Sequence, residues 1–197
     1  MHKPFEGKVV IVTGASSGIG AATALAFGRQ GAKVVVAARR ADKGEQVVRQ
    51  IEALGAQALF IETDVTKTAD VEALVARTLI AFERLDCAVN NAGIAGPAFL
   101  PVADIEESAW DEVMNTNLRA VWLCMKYEIR AMLIHGAGSI VNVSSIYGYK
   151  PSDLGHAACQ NSRRRSTTRS KASASTSSPP ASPARRWWIR RTPISPN

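Results

Sequence analysis

Thr13-Gly14-Ala15-Ser16-Ser17-Gly18-Ile19-Gly20 decides how the rest of the chain is read. It follows the apolar run Val9-Val10-Ile11-Val12, which reads as a buried strand, and it opens a helical stretch from Ala21 to Gln30. A strand, a glycine-rich turn and a helix in that order let backbone approach a pyrophosphate without Cβ clashes. They also aim helix N-terminal N–H groups at the negative charge. The spacing is Gly-x-x-x-Gly-x-Gly, not the Gly-x-Gly-x-x-Gly of the general dinucleotide fingerprint, so the turn needs support from its surroundings.

That support lies downstream. Short apolar strands are predicted near Val9–Val12, Val34–Ala37, Ala58–Ile61, Leu85–Val89 and Ser139–Val143. Between them Gly44–Leu54 and Ala69–Phe82 place apolar residues at helical spacing, as in Val71, Leu74, Val75 and Leu79, and a longer helical region runs from about Trp110 to Leu133. Strands buried on both faces and joined by helical crossovers predict an α/β, doubly wound parallel sheet of Rossmann-like type.

Charge divides the chain in two. Nine of the 24 Lys and Arg residues and none of the 17 Asp and Glu residues lie beyond Ala158, so the front part carries a net charge of −2 although the whole chain carries +7. The tail has nine serines and five prolines, whereas all 14 glycines lie in front of it. A dinucleotide-binding domain over 5–158 and a basic, disordered tail over 159–197 are therefore expected. Cys87, Cys124 and Cys159 stand at unrelated spacings that suggest neither a disulfide framework nor a metal site. No apolar run approaches a membrane span and the N-terminus does not read as a signal peptide, which makes a cytoplasmic location with no membrane partner the expectation.

Four further motifs fall at ordered places: Asp64-Val65 after the third strand, Asn90-Asn91-Ala92-Gly93 after the fourth, Asn117-Leu118 in the long helix, and Asn142-Val143-Ser144-Ser145 at the end of the fifth. With the glycine-rich turn they make residues 7 to about 158 resemble a short-chain dehydrogenase/reductase. The resemblance implies a hydride-transferring oxidoreductase acting on an alcohol or carbonyl substrate, with intact relatives forming homo-oligomers. It assigns the cofactor to Gly14, Ser16, Ser17, Gly18, Ile19 and Gly20, to Asp64 and Val65 flanking the adenine, and to Asn91, Ala92 and Gly93 lining the cleft. Residue 38, just past the second strand, selects the cofactor: an acid there would bind the ribose 2′-hydroxyl of NAD(H), but the chain reads Ala38-Arg39-Arg40. A guanidinium pairs well with phosphate, so Arg39 points to NADP(H), with NAD(H) the alternative if the two arginines are only a solvated pair.

The same resemblance carries Ser145 and Asn117 over as catalytic residues and expects a Tyr-x-x-x-Lys pair to exchange the substrate's proton. After Asp153-Leu154-Gly155-His156-Ala157-Ala158 the spacing survives, but Cys159 and Arg163 stand at the two positions. A thiol and a permanently charged guanidinium do not replace a phenol and an amine. The chain is thus read as a disabled oxidoreductase, its sheet truncated after the fifth strand, or as a non-catalytic NADP-binding remnant. The substrate pocket would draw on Phe99, Leu100, Ile146 and Tyr147.

The tail admits three readings. Arg163-Arg164-Arg165 and Arg185-Arg186-Trp187-Trp188 could form a nucleic-acid-binding arm, the least favoured partner. It could be a disordered segment of accidental charge. It could also be translated out of frame. Synonymous codons for Ser173 to Trp188, read from the third base of each, encode Arg-Ile-Asn-Val-Ile-Thr-Pro-Gly-Ile-Thr-Gly-Thr-Pro-Met-Val, which resembles the family's sixth strand and its Pro-Gly loop.

Overall fold

The computed structural model describes residues 3–97 and 100–145. Five strands, β1 (Val9–Thr13), β2 (Lys33–Ala38), β3 (Ala58–Glu62), β4 (Cys87–Asn90) and β5 (Ser139–Asn142), form one parallel sheet in the order β3-β2-β1-β4-β5. The helices are α1 (Gly18–Arg29), α2 (Ala41–Glu52), α3 (Thr68–Phe82), α4 (Glu107–Met114) and α5 (Ala120–Ile134). This is the Rossmann-like α/β sheet expected from the sequence.

The two-residue period of a strand divides the core. From β1 and β2, Val10, Val12, Val34 and Val36 face one way, onto Ala24 of α1 and Val47 and Ile51 of α2. Ile11, Val35 and Ala37 face the other way, onto Leu74 and Val75 of α3 and Ala131 and Met132 of α5. All five residues of β1 are buried, as a central strand covered on both faces requires.

The helix bounds differ from expectation at one informative place. The long helical region is interrupted by a π-helical segment, Asn115–Arg119, which joins α4 to α5. Its widened turn carries Asn117, and such segments concentrate at functional sites. Strand β5 lies at the sheet edge among the described residues, with Val141 and Val143 exposed. No helix among the described residues is long and apolar enough to cross a membrane. The expected boundary near 158, the tail, Cys159, Arg163, Phe99, Ile146 and Tyr147 lie outside the described residues.

Candidate functional site

Strand order reverses between β1, whose successors run outward through β2 and β3, and β4, which leads to β5 on the other side. The carboxyl ends of the strands at such a switch point open a crevice that neither crossover covers. Here a cleft of about 440 Å³ occupies that place, lined by Gly14, Ser16, Ser17, Ala38, Arg39, Arg40, Thr63, Asp64, Val65, Thr66, Asn91, Ala92, Gly93, Ile94 and Thr116.

Its floor is a backbone clamp between the ends of β1 and β4. The Thr13 hydroxyl oxygen accepts from the N–H groups of Asn91 (3.0 Å) and Ala92 (3.1 Å) and its hydrogen points to the Val89 carbonyl (3.5 Å). The Asn91 amide donates back to the carbonyls of Thr13 (3.1 Å) and Gly14 (3.4 Å). The two segments therefore lie in direct contact. A Cβ on Gly14 would sit 2.8 Å from Ala92 Cα, and one on Gly20 would sit 2.5 Å from both Asn91 Nδ2 and Gly14 O. Glycine at these two positions is a packing requirement.

The turn then delivers the N-terminus of α1. Ser17 is its N-cap residue and Gly18, Ile19 and Gly20 form its first turn, beyond the lining of the cleft, with Ile19 exposed. No side chain caps this end, and no acidic residue occupies the first turn. Open N–H groups and an uncompensated positive dipole end suit an anion.

A second cationic feature lines the same cleft. Ala38 closes β2 almost fully buried, and Arg39 and Arg40 follow it into the cleft lining. Arg40 Nη2 donates to Ser16 Oγ (3.0 Å) and Ser17 Oγ (2.7 Å), so its guanidinium spans the glycine-rich turn. Arg39 acts on Asp64: burial opposes the charge on that carboxyl, but the Thr66 hydroxyl and N–H, then Lys67 and then Arg39, hold its pKa below the ordinary value. Asp64 is thereby kept ionised, accepting from Thr66 Oγ1 (2.7 Å) and Thr66 N (3.1 Å) in the cleft lining.

Asn117 performs a clamp of its own. Its Oδ1 accepts from the Ile94 N–H (2.9 Å) while its Nδ2 donates to the Ile94 carbonyl (2.8 Å), so one amide brackets one peptide of the loop after β4. A Cβ on Gly93 would stand 3.2 Å from Asn117 Oδ1, which ties the cleft lining to the π segment. Ser145 follows β5, exposed and outside the cleft lining. The structure thus brings Gly14, Ser16, Ser17, Arg39, Asp64, Val65, Asn91, Ala92 and Gly93 together, with Asn117 against them.

Sequence reasoning passed over Thr13 as a clamp, Arg40 as a partner of the turn, and Thr63, Thr66, Ile94 and Thr116 as lining. Only Arg40 had a signal, its adjacency to Arg39. Among the described residues no group of three or more His, Cys, Asp or Glu residues could hold a metal ion.

A sequence profile described as short chain dehydrogenase matches residues 8–157. A short chain dehydrogenase/reductase of Aspergillus oryzae is 43% identical over 150 residues, covering 75% of this chain and 57% of that protein. The cis-4-hydroxycyclohexanecarboxylate dehydrogenase of Sinomonas cyclohexanicum is 43% identical over 148 residues, 75% of this chain and 59% of that one. The crystal structure of levodione reductase superposes with a TM-score of 0.75 at 32% identity, covering 84% of this chain and 66% of the other. The chain spans less than two thirds of the length of these curated relatives.

Proposed function

This chain belongs to the short-chain dehydrogenase family, and from that premise we propose that it binds NADP(H) in the switch-point cleft without turning over a substrate. The family binds a nicotinamide dinucleotide. The observation that carries the finer reading is the pair of arginines, with no acid, that follows β2 into the cleft lined also by Gly14, Ser16 and Ser17. Gly14, Ser16, Ser17 and the first turn of α1 would hold the pyrophosphate. Arg39 and Arg40 would pair with the 2′-phosphate, and Asp64 and Val65 would border the adenine. Asn91, Ala92 and Gly93 would line the remainder.

A bound nicotinamide supplies or accepts the hydride in an alcohol–carbonyl interconversion. The protein's share is to hold the substrate oxygen and exchange its proton. Ser145 and Asn117 stand at the family's positions for holding and relaying. Cys159 and Arg163 stand where the family places the Tyr and Lys that exchange the proton. Cofactor binding and catalysis are therefore separable in this chain.

The exposed apolar stripe along the π segment and α5, formed by Leu118, Trp122, Ile129 and Leu133, supports self-association, as relatives of this family do.

The test is titration of the full chain with NADPH and NADH, followed by tryptophan fluorescence. A charge-assisted phosphate contact is worth about 1.5–3 kcal/mol, so NADPH should bind about tenfold tighter or more. Ala38→Asp with Arg39→Ser should reverse the order. Equal affinities in the parent chain would remove the 2′-phosphate assignment, and no binding of either would remove the cofactor site.

A further inference from the structure

Glu128 lies in the middle of α5 and is only 1% exposed, as deeply buried as the core leucines Leu74 and Leu123. Its sequence neighbours Lys126, Tyr127 and Arg130 suggest a surface helix face. The structure turns Glu128 the other way, onto the sheet. There Asn90, the last residue of β4 and 2% exposed, donates from Nδ2 to Glu128 Oε2 (3.0 Å) and to Asn142 Oδ1 on β5 (3.0 Å). One amide nitrogen thereby links α5, β4 and β5.

The rest of the arrangement leaves two acceptors over. Glu128 Oε1 and Asn90 Oδ1 are both buried and, among the described residues, neither has a hydrogen-bond partner. Both are acceptors, and they belong to two groups already joined on their other atoms. Two buried, orphaned acceptors would each carry a desolvation penalty. A single proton answers both, because a neutral carboxyl is a donor as well as an acceptor.

We propose that Glu128 is a protonated positioning residue: its neutral carboxyl donates to Asn90 Oδ1 while accepting from Asn90 Nδ2, a two-point latch that fixes the carboxyl end of β4. The next three residues are Asn91, Ala92 and Gly93, so the latch sets the base of the cleft. This last step rests on the reading of that cleft as the cofactor site.

The surroundings favour the neutral form. Burial pushes the Glu128 carboxyl up to about 7, and the Asn90 amide only partly opposes it. On its own helix, Cys124 one turn earlier is the titratable group that senses it. Burial, then the Glu128 charge, pushes that thiol up to about 12, so it brings no compensating charge. From the sheet β4 and β5 present only the amides of Asn90 and Asn142. From α3, Glu72 is held by the Tyr127 hydroxyl of α5 at 3.4 Å and is exposed. Among the described residues no Lys, Arg or His pairs with Glu128.

The sign follows from the raised pKa. The latch is complete below the unfolded carboxyl value of 4.5 and is lost as pH rises through about 7. Glu128→Gln keeps a donor and an acceptor in the same places at every pH. Urea unfolding of the full chain and of Glu128→Gln is compared at pH 5 and pH 8. The parent's folding constant should fall about a hundredfold relative to the variant's across that interval. Parallel pH profiles would overturn the latch.

Infrared spectra of the folded parent at pH 6 give a reading that needs no variant. A neutral-carboxyl carbonyl band is expected there, and its absence would overturn the protonated form. The ratio of parent to Glu128→Gln affinities for NADPH, measured at pH 6 and pH 8, reads the positioning role. It should move severalfold against the parent as pH rises, and a constant ratio would remove that role. Failure of both proteins to bind NADPH at any pH would instead remove the cofactor reading, while the unfolding comparison still decides the latch.

Discussion

Gly14 and Gly18 offer a controlled comparison, because both adopt positive φ (65° and 54°) within one turn and differ in what surrounds them. A Cβ on Gly18 would meet nothing within 4 Å. Gly18→Ala therefore carries only the left-handed backbone penalty, about 1–2 kcal/mol, partly offset by about 0.4–1 kcal/mol through a less flexible unfolded chain. Gly14→Ala carries the same terms and a collision. Its Cβ would stand 2.8 Å from Ala92 Cα and 3.1 Å from Ala92 N, both backbone atoms with no rotamer to change. Carbon atoms pack at about 3.5–4.0 Å, so the ends of β1 and β4 must separate, at a typical cost of about 1–3 kcal/mol. That separation also strains the bond from Ala92 N–H to Thr13 Oγ1 and that from Asn91 Nδ2 to Thr13 O, each worth about 1 kcal/mol. Gly14→Ala should thus cost about 3–5 kcal/mol and Gly18→Ala about 1 kcal/mol. Urea unfolding followed by far-UV circular dichroism reads the difference as a shift of midpoint at constant slope. Equal midpoints for the two variants, or a Gly14→Ala protein as stable as the parent, would refute the claim that backbone contact across the switch point dictates this glycine.

Three other outcomes follow from named contacts. Thr13→Val keeps the shape of a buried side chain but strips the acceptor from the Asn91 and Ala92 N–H groups, so it should cost about 1–3 kcal/mol in unfolding experiments and weaken nucleotide binding; a neutral variant would show that the clamp is incidental. Asp86 accepts from Arg84 (2.6 and 2.8 Å), Lys8 (3.1 Å) and the Val9 N–H (3.0 Å), and these outweigh burial to bring its pKa down to about 2. Its contribution is therefore present above the ordinary value of 3.8 and lost as pH falls toward 2, about 2 kcal/mol that Asp86→Asn should abolish from the acid limb of stability against pH. With NADP(H) and a panel of alcohols and ketones the chain should give no turnover above background, Cys159→Tyr with Arg163→Lys should not restore it, and the frame-corrected sequence after Ala158 should; robust turnover by the unaltered chain would sink the disabled-enzyme reading.

The parts of the fold that sequence reveals are those governed by periodicity and by glycine. Val10, Val12, Val34 and Val36 alternate with Ile11 and Val35, and this alone places a central strand pair. The turn from Thr13 to Gly20 places the cleft, because its constraints are local and steric. What remained hidden depends on partners distant in sequence. Arg40 meets Ser16 and Ser17 across 24 and 23 residues, and nothing in Ala38-Arg39-Arg40 distinguishes the arginine that spans the turn from the one that acts on Asp64. The π segment at Asn115–Arg119 has no compositional mark; its residues are ordinary helix formers and polar groups. Glu128 was hidden by its neighbours, since one buried acid among Lys126, Tyr127 and Arg130 reads as part of a solvated face.

Binding and catalysis make different demands on sequence, and on the function proposed above this chain separates them. The cleft is built chiefly from backbone: N–H groups at the start of α1, the Thr13–Asn91 clamp, and glycines that permit close approach. Such a cradle tolerates many side chains, and its lining lies within the described residues. Proton exchange tolerates almost none. It requires a group whose pKa suits the operating pH at one position, and its absence removes about 10²–10⁴-fold of rate that no amount of cofactor affinity replaces. A chain with Gly14, Gly20 and Asn117 in place and Cys159 and Arg163 where the family has its proton-exchanging pair should hold its nucleotide and leave the carbonyl unchanged.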